Sequence, residues 1–287
     1  MTTSEPLPPD AAVDLHLHTR YSDGAWRPAD LFATLTQGGF RVVSVVDHDQ
    51  MEHLPEVSAL GAERSIVVIP GTEVTTEWRG LAAHLLCYAP LATGFTSDAL
   101  RAVVDDTRAR MLANTQMIYD TMLARGYHFP RQQEALARDG QLNRAMDVGT
   151  LLLAHGYADG PGEAMRMVNE AGYQQALAPI AQAVAAAHAS GALCVLAHPG
   201  RGEGEIHRYE PAEIEALLAE VPLDGVEVYY PTHSTAQVAA YEALAARHGL
   251  LISAGSDSHA PNTRQPVPYP ARRIAPLLQR LGVTTQQ

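Results

Sequence analysis

Short apolar stretches that begin or end at histidine, aspartate or glutamate recur along the chain and constrain its fold more than any other feature. Seven stretches have the length and composition of buried strands, namely residues 13–18, 42–49, 66–73, 84–88, 193–199, 225–229 and 251–256. Polar groups that gather at the ends of successive strands are typical of a barrel mouth. The sequence therefore predicts an α/β fold with a functional site at one edge of its strands.

Nine side chains of metal-ligand type stand at the ends of these predicted strands. His16 and His18 are two residues apart, so on a strand both imidazoles project from one face and can bind one metal. Glu73 follows the third stretch, where its carboxylate can bridge two metals. The full set is His16, His18, Asp23, His48, Glu73, His84, His198, Asp257 and His259. Together these residues predict a polynuclear metal site.

A single histidine at a strand end is more often packed or solvent-facing than a metal ligand. The joint occurrence of His-x-His, Asp-His-Asp and Ser-Asp-Ser-His, each at the end of an apolar stretch, outweighs that interpretation. Two further histidines, His53 and His233, are left open at this point. The others fall in predicted helices or loops and are expected on the solvated surface: His128, His155, His188, His207 and His248.

The motifs around these ligands resemble those of the PHP family, named for polymerase and histidinol phosphatase. They run in family order as residues 14–19, 22–24, 47–49, 71–73, 197–199 and 255–259. Length, the long central segment and the spacing to His84 are most similar to the small nucleotide-phosphatase branch, which includes 3′,5′-nucleoside bisphosphate phosphatases and RNA-trimming relatives. The resemblance implies a distorted seven-stranded β/α barrel, a (β/α)7 PHP barrel, with three metals at the carboxyl ends of its strands.

Carried over residue by residue, the family pattern divides the ligands among three divalent ions. Glu73 would bridge the first two ions, and Glu73 and Asp257 become the candidate catalytic carboxylates. The resemblance also implies a hydroxide shared by two ions as the nucleophile. Imidazole and carboxylate ligands suit manganese, iron or zinc, and the resemblance ranks manganese and iron first. The three ligand groups are His16, His18, Glu73 and Asp257; Glu73, His84 and His198; and Asp23, His48 and His259.

Composition excludes several other classes of enzyme. All 20 basic residues are arginine, so a carbamylated-lysine metal bridge, a P-loop and a Schiff-base mechanism are all unavailable. The formal net charge of −12 argues against a protein that tracks long nucleic acid through a basic groove. A small phosphorylated substrate, such as a nucleotide or a short oligonucleotide end, fits this charge better.

Location and cysteine chemistry follow from the same composition. The first ten residues lack the basic and apolar regions of a signal peptide, and no long apolar run could cross a bilayer, so we expect a cytoplasmic protein without membrane partners. Cys87 and Cys194 lie in apolar strands and are expected to be packed, reduced thiols. The sequence does not indicate an oligomeric state.

Strand patterning stops after Tyr88 and is replaced by helical spacing. Helices are predicted over residues 99–125, 143–155 and 161–171, each closed by a following glycine. We therefore expect a metal-binding barrel formed by residues 1–98 and 176–287. An all-helical insertion would occupy residues 99–175.

Four residues are candidates for contacts with substrate. Arg201, just after His198-Pro199-Gly200, and Arg144, at a predicted helix start, could each hold a phosphate with two parallel hydrogen bonds. Family members carry Ser/Thr-Arg-x-His near Arg144, whereas this chain has methionine at the histidine position, so a surface arginine is an equal alternative. His53 could contact substrate or belong to the first turn of the next helix. His233 could protonate the leaving group.

These residues predict a metal-dependent hydrolase that releases phosphate from a small monoester, such as a nucleoside 3′,5′-bisphosphate or a 5′-monophosphate. One alternative is hydrolysis of a cyclic phosphate or a phosphodiester, including trimming of short RNA from its 5′ end. A second alternative is a metal-binding module without catalysis, and a distant third is an amide hydrolase on the same metal framework.

Overall fold

The computed structural model describes residues 6–136, 140–201 and 207–286. These residues divide into two compact units: unit 1 comprises residues 1–104 and 177–287, and unit 2 comprises residues 105–176. The sequence placed the boundaries at 98/99 and 175/176. The first boundary differs because the amino-terminal turns of one long helix pack into the core of unit 1 through Leu100, Val103 and Val104.

Among the described residues, unit 1 contains ten strands in two sheets. The strands are β1 (Ala12–Leu17), β2 (Phe40–Val45), β3 (Val67–Val68), β4 (Gly71–Trp78), β5 (Leu81–Tyr88), β6 (Ala178–Pro179), β7 (Leu193–Leu196), β8 (Gly225–Tyr229), β9 (Leu251–Ala254) and β10 (Tyr269–Pro270). One sheet has the order β10-β1-β2-β3, and the other has the order β6-β4-β5-β7-β8-β9.

Most neighbouring strands are parallel, which agrees with the expected α/β class. The exceptions are the pairs β1–β10, β4–β5 and β5–β7, which are antiparallel. Isolated parallel bridges, Leu17 with Ser258 and His48 with Glu73, join residues of the two sheets. The α/β class is confirmed, and each of the seven predicted stretches contains a strand. The larger number of strands arises because residues 66–73 divide between β3 and β4, and because β6 and β10 have only two residues each, too few to show an alternating pattern.

Helices cover the outer faces of both sheets, and several begin at a proline in the first turn. In unit 1 they are α1 (Pro28–Gln37), α2 (Leu54–Glu63), the start of α3 (Ala99–Ala124), α7 (Ile180–Ala189), α8 (Pro211–Leu218), α9 (Thr235–His248), a 3-10 helix (Ala271–Ile274) and α10 (Ala275–Arg280). Ser234 caps α9 by accepting the Gln237 N–H, and Gly249 ends it in the left-handed region at φ 66°.

The core of unit 1 has an inner and an outer part. Side chains from both sheets, among them Val13, Val42 and Leu86, form the inner part. The outer faces pack against helices, for instance Val43 against α1 and Leu85 against α7. Alternate side chains of a strand point to the same face of the sheet. A strand that lines the inner core can therefore place a polar side chain on the same face at the end of the strand, where the chain leaves the core.

Unit 2 is helical and has an apolar cluster of its own. It holds the rest of α3 together with α4 (Gln132–Ala135), α5 (Ala145–Ala154) and α6 (Pro161–Glu170). Ile118, Val148 and Val168 are fully buried in this cluster. The helices predicted over 143–155 and 161–171 are observed within two residues of their expected ends.

Candidate metal centre

The end of β1 and the turn after β9 form the first ligand group with Glu73: His16 lies in β1, His18 follows it, and Asp257 follows β9. His16 Nε2 and His18 Nε2 lie 3.1 Å apart, and each lies 3.0 Å from Glu73 Oε2. Asp257 Oδ1 lies 3.4 Å from His16 Nε2 and 3.2 Å from His18 Nε2. All four side chains are buried. The structure therefore brings together the residues that were predicted for the first ion.

Glu73 stands at the centre of the whole cluster because its two oxygens face different imidazoles. While Oε2 faces His16 and His18, Oε1 lies 3.0 Å from His84 Nδ1 and 3.2 Å from His198 Nε2. His48 Nε2 also lies 3.3 Å from Oε2. A carboxylate that bridges two ions needs its two oxygens to face two different sets of ligands, and Glu73 has this arrangement.

The antiparallel pairing of β4 and β5 explains how Glu73 and His84 meet. Glu73 pairs with Leu86, and Thr75 pairs with His84, so Glu73 and His84 lie on the same face, two positions apart. His84 is the fourth residue of β5, which begins at Leu81 rather than at His84 as the sequence indicated. The site thus uses the middle of this strand as well as strand ends.

A third group lies beside the first two. His259 Nε2 is 3.0 Å from Asp23 Oδ2, and the His18 ring stacks on the rings of His48 and His259 with centroids 4.7 and 4.2 Å away. Ligand atoms of His18, Asp23, His48 and His259 all lie within 4.8 Å of one another. The geometry places His18 next to this group as well, which the family pattern did not include.

The side chains fit divalent metal ions on two grounds. Two ligand atoms that both lie about 2.1 Å from one ion are about 3.0–3.4 Å apart at octahedral or tetrahedral angles, and the atoms of the first group have separations in this range. Moreover, His84 Nδ1, which is buried and faces Glu73 Oε1, makes no hydrogen bond with the described residues. Buried imidazole nitrogens without partners are costly unless another group satisfies them.

The charges of the cluster are consistent with cation binding. Burial alone would raise the pKa of Glu73, but His16 and His48 hold it well below its usual range. Burial opposes a charge on His18, yet hydrogen bonds with Asp257 and Glu73 raise its pKa to about 10. Burial lowers the pKa of His48 to about 3. Ionised carboxylates therefore hold a proton on His18 that a metal ion would displace.

Buried aspartates hold the ligand loops in place. Asp47 accepts hydrogen bonds from the Thr19 N–H at 2.8 Å and the Ser22 hydroxyl at 2.6 Å, and so positions the turn that carries Asp23. Asp14 accepts the Ser256 N–H at 2.9 Å next to Asp257. The sequence motifs contain these aspartates, and the structure shows that they support the ligands rather than join them.

Two ligand positions have backbone conformations that side chains rarely adopt. His198 has φ 26° and Asp257 has φ 54°. Such residues persist only where the surrounding contacts hold them, and they cluster at functional sites. The Asp257 carbonyl lies 2.9 Å from His259 Nδ1, so the tight turn at Asp257 also orients the His259 ring.

Glu227 belongs to the site but was not identified from the sequence. Its Oε1 lies 3.1 Å from His16 Nδ1, and its Oε2 accepts the His198 N–H at 2.7 Å. The side chain is fully buried. A carboxylate on the far nitrogen of a ligand histidine fixes which nitrogen faces the metal. The one available signal was a glutamate flanked by valines inside a predicted buried strand.

Three polar side chains surround the second oxygen of Asp257. Arg201 Nη1 lies 2.5 Å from Oδ2, Arg264 Nη1 lies 3.0 Å away, and the Tyr230 hydroxyl donates to it at 3.0 Å. Arg264 also contacts the Tyr230 hydroxyl and lies over its ring, 5.0 Å from the centroid. Arg201 was predicted near the site, whereas Arg264 and Tyr230 were not.

The two histidines whose roles the sequence left undecided, His53 and His233, both contact the backbone. His53 is fully buried as the N-cap of α2, and its Nε2 lies 2.9 Å from the Val45 carbonyl, which favours the helix-start alternative over a substrate contact. His233 Nδ1 donates to the Val228 carbonyl at 2.9 Å, and Nε2 accepts the Gly200 N–H at 3.0 Å. Because both of its nitrogens bond to the backbone, His233 holds the loop after His198, and the geometry does not support it as a proton donor.

Arg144 lies in unit 2, where it is the N-cap of α5 and its Nε is 4.0 Å from Asp147 Oδ1. Its role as a phosphate contact stays a prediction. Among the histidines expected at the surface, His128, His188 and His248 are exposed, whereas His155 and His207 are half-buried. Within the described parts of the chain, none of the helices has the length and apolar character needed to span a bilayer.

Curated relatives match most of the chain. A 3′,5′-nucleoside bisphosphate phosphatase of Chromobacterium violaceum is 29% identical over 268 residues, which is 88% of each chain. A phosphoribosyl 1,2-cyclic phosphate 1,2-diphosphodiesterase of Eggerthella lenta is 26% identical over 88% of this chain and 96% of its own. The 5′-3′ exoribonuclease Rnm of Salmonella typhimurium is 27% identical over 86% of this chain and 85% of its own.

Solved structures and a family match complete the comparison. A crystal structure described as a metal-dependent phosphoesterase of Bifidobacterium adolescentis has a TM-score of 0.79 at 23% identity and covers 95% of this chain and 97% of its own. One described as an amidohydrolase of Chromobacterium violaceum has a TM-score of 0.72 at 25% identity, with coverage of 94% and 97%. The PHP domain matches residues 14–190, which is more than half of the chain. The chain therefore belongs to the PHP family, and it is a metal-dependent phosphoesterase.

Proposed function

We propose that the protein hydrolyses phosphate monoesters of small molecules, specifically nucleoside 3′,5′-bisphosphates or 5′-monophosphates, with three bound divalent ions. The observation that carries the proposal is the convergence of buried imidazoles and carboxylates on Glu73, whose oxygens face His16 and His18 on one side and His84 and His198 on the other. The relative named a 3′,5′-nucleoside bisphosphate phosphatase, which aligns along most of the chain, supports this choice of substrate.

The three ligand groups would hold one ion each, with Glu73 shared. Nitrogen and oxygen donors without thiolate suit manganese or iron, with zinc as the third choice. When bound, such ions lower the pKa of water into the neutral range and neutralise charge on a phosphate during in-line displacement. The buried ligand side chains would hold the ions in fixed positions, and Glu227 would orient the His16 ring.

Recognition of the phosphate falls to the arginines beside Asp257. Arg201 and Arg264 approach the same Asp257 oxygen, and their side chains are 21% and 25% exposed, so both combine a fixed position with access from solvent. Arginine binds phosphate oxygens with paired, directed hydrogen bonds. The Tyr230 hydroxyl adds a neutral donor at the same point. Arg144 is a further candidate contact from unit 2.

Hydrolysis of diesters is the second candidate function. Relatives named a cyclic phosphodiesterase and a 5′-3′ exoribonuclease align along 86% or more of this chain, so sequence likeness does not separate monoesters from diesters. The same ligands would serve either reaction because both displace an oxygen from phosphorus. A formal net charge of −12 favours a short oligonucleotide over a long one.

Product analysis tests these alternatives, because hydrolysis of a monoester releases inorganic phosphate whereas hydrolysis of a diester releases a nucleotide or leaves an opened monoester. Protein loaded with manganese is assayed on nucleoside 5′-monophosphates, 3′,5′-bisphosphates, cyclic phosphates and short 5′-phosphorylated RNAs. We expect release from one monoester class, and we expect Glu73→Ala to abolish it because both ligand groups lose their shared carboxylate. Glu63→Ala, which removes an exposed glutamate paired with Arg64, is the matched control. Absence of release from every compound, with metals bound, would contradict the proposal.

A further inference from the structure

A second cluster of metal-ligand side chains lies in unit 1, on the opposite face of the sheet from Glu73 and His84. Cys87 and Cys194 are fully buried there in the outer core, whereas Leu86 and Val195 face the inner core. His188 comes from the end of α7, and Asp224 immediately precedes β8. None of these four residues takes part in the candidate metal centre.

The three polar groups of this cluster meet at one point. His188 Nε2 lies 2.8 Å from Asp224 Oδ2, and the same oxygen accepts the Cys194 N–H at 2.8 Å. One ligand atom from each of His188, Cys194 and Asp224 lies within 4.8 Å of the other two.

Cys87 supplies a second thiol beside the first. It pairs directly with Cys194 across β5 and β7. The Ala197 N–H donates to the His84 carbonyl, and hydrogen-bonded and non-hydrogen-bonded pairs alternate along an antiparallel ladder, so Cys87 and Cys194 form a non-hydrogen-bonded pair. Side chains approach closely in such a pair.

We propose that His188, Cys194 and Asp224 bind one divalent cation of the zinc type. Thiolate, imidazole and carboxylate are the donors of tetrahedral zinc sites, and thiolates select zinc over manganese or magnesium. The ion would enter from the side of His188 and Asp224, whose side chains are 36% and 23% exposed. It would tie the end of α7 to β7 and to the start of β8.

The alternative is a surface ion pair of His188 and Asp224 beside two packed thiols. This pairing explains the 2.8 Å contact without any metal. It does not require the sulfur atoms and the ion pair to approach one another, whereas a zinc site does. The two interpretations differ in whether a metal bound by the protein has sulfur ligands.

Cobalt substitution distinguishes this site from the candidate metal centre, because the centre has only nitrogen and oxygen donors. Cobalt bound by thiolate has a near-ultraviolet charge-transfer band, and cobalt bound by imidazole and carboxylate lacks it. We expect the holoprotein titrated with Co²⁺ to develop this band and Zn²⁺ to displace it. The band should disappear in Cys194→Ser and in His188→Ala.

His248→Ala is the matched control, since His248 is an exposed histidine paired with the carboxylate of Glu215 in the same way that His188 pairs with Asp224. This variant should keep the full band. Because His188 is exposed, His188→Ala should fold, which circular dichroism verifies. A wild-type protein without the band at saturating cobalt overturns the proposal, and so does a band that persists in Cys194→Ser.

Discussion

Glu227 illustrates how one buried carboxylate can set the state of a metal ligand. It contacts His16 Nδ1 and the His198 N–H with different oxygens, so it needs two acceptors. A glutamine of the same size keeps only one acceptor, and its amide group would face a donor. The role of Glu227 is therefore one of charge and hydrogen bonding rather than of volume.

Glu227→Gln should lower metal affinity about 10–100-fold, the usual effect of losing a partner behind a ligand histidine. Metal content after dialysis against a graded chelator series measures this change. The control is Glu242→Gln. Glu242 lies on α9, where its carboxylate accepts a hydrogen bond from the Tyr229 hydroxyl, and this variant should keep its metal. Equal metal retention in both variants would show that Glu227 does not act through His16.

Arg201→Ala should raise KM for the phosphorylated substrate by about tenfold or more, because a hydrogen bond between charged groups contributes about 1.5–3 kcal/mol. If Arg201 binds the transition state more tightly than the substrate, kcat falls as well. Arg272→Ala, at an exposed arginine paired with Asp10, is the control. Steady-state kinetics of the two variants separate the cases, and unchanged kinetics in Arg201→Ala would show that this arginine does not bind the substrate.

At the scale of elements, the first ligand group forms because Gly255, the residue directly after β9, lies close against His16 in β1. A side chain on Gly255 would place its Cβ 2.1 Å from the His16 Cβ and 2.6 Å from Glu227 Oε1. The glycine is therefore required by the distance between the two chain segments. Its φ is not in the left-handed region.

Gly255→Ala should cost about 1–3 kcal/mol of unfolding free energy, as overpacking in a filled core does, and should displace His16 from the centre. Gly162→Ala is the matched control, because a Cβ there meets no atom within 4 Å. Urea denaturation and metal analysis of the two variants test the expectation. Normal metal content in Gly255→Ala would mean that the loop moves without disturbing His16.

The ligand motifs were predictable from sequence because each follows a recognisable apolar stretch, and the family resemblance they carry is confirmed. The stretch 66–73 was less informative, since it was read as one strand but divides into β3 and β4 around Pro70, which cannot donate to the ladder. The hairpin of β4 and β5 placed His84 within a strand. Contacts such as Glu227 with His16 join residues 211 apart, and no local pattern reports them.

At the scale of the whole molecule, the described residues form two compact units with separate apolar clusters. The candidate metal ligands all lie in unit 1, whereas the core of unit 2 consists of its own helices. A ligand that binds only the folded form stabilises it by mass action. Metal should therefore stabilise the two units unequally.

Removal of metal with a chelator should speed amide exchange in β1, β4 and β5 while leaving α5 and α6 unchanged. Hydrogen exchange resolved by peptide, with and without chelator, measures this difference. Adding back manganese should restore the slow exchange. Equal acceleration in both units would show that they unfold together.

The pairing of Asp23 with His259 has a consequence for how the protein is made, because these residues lie 236 positions apart in the chain. Each four-residue ligand group combines side chains from the first hundred residues with Asp257 or His259. A nascent chain on the ribosome cannot complete either group until those last ligands have been translated. Metal loading of these two groups should then follow synthesis rather than accompany it, and the ions that they capture depend on which metals the finished chain meets.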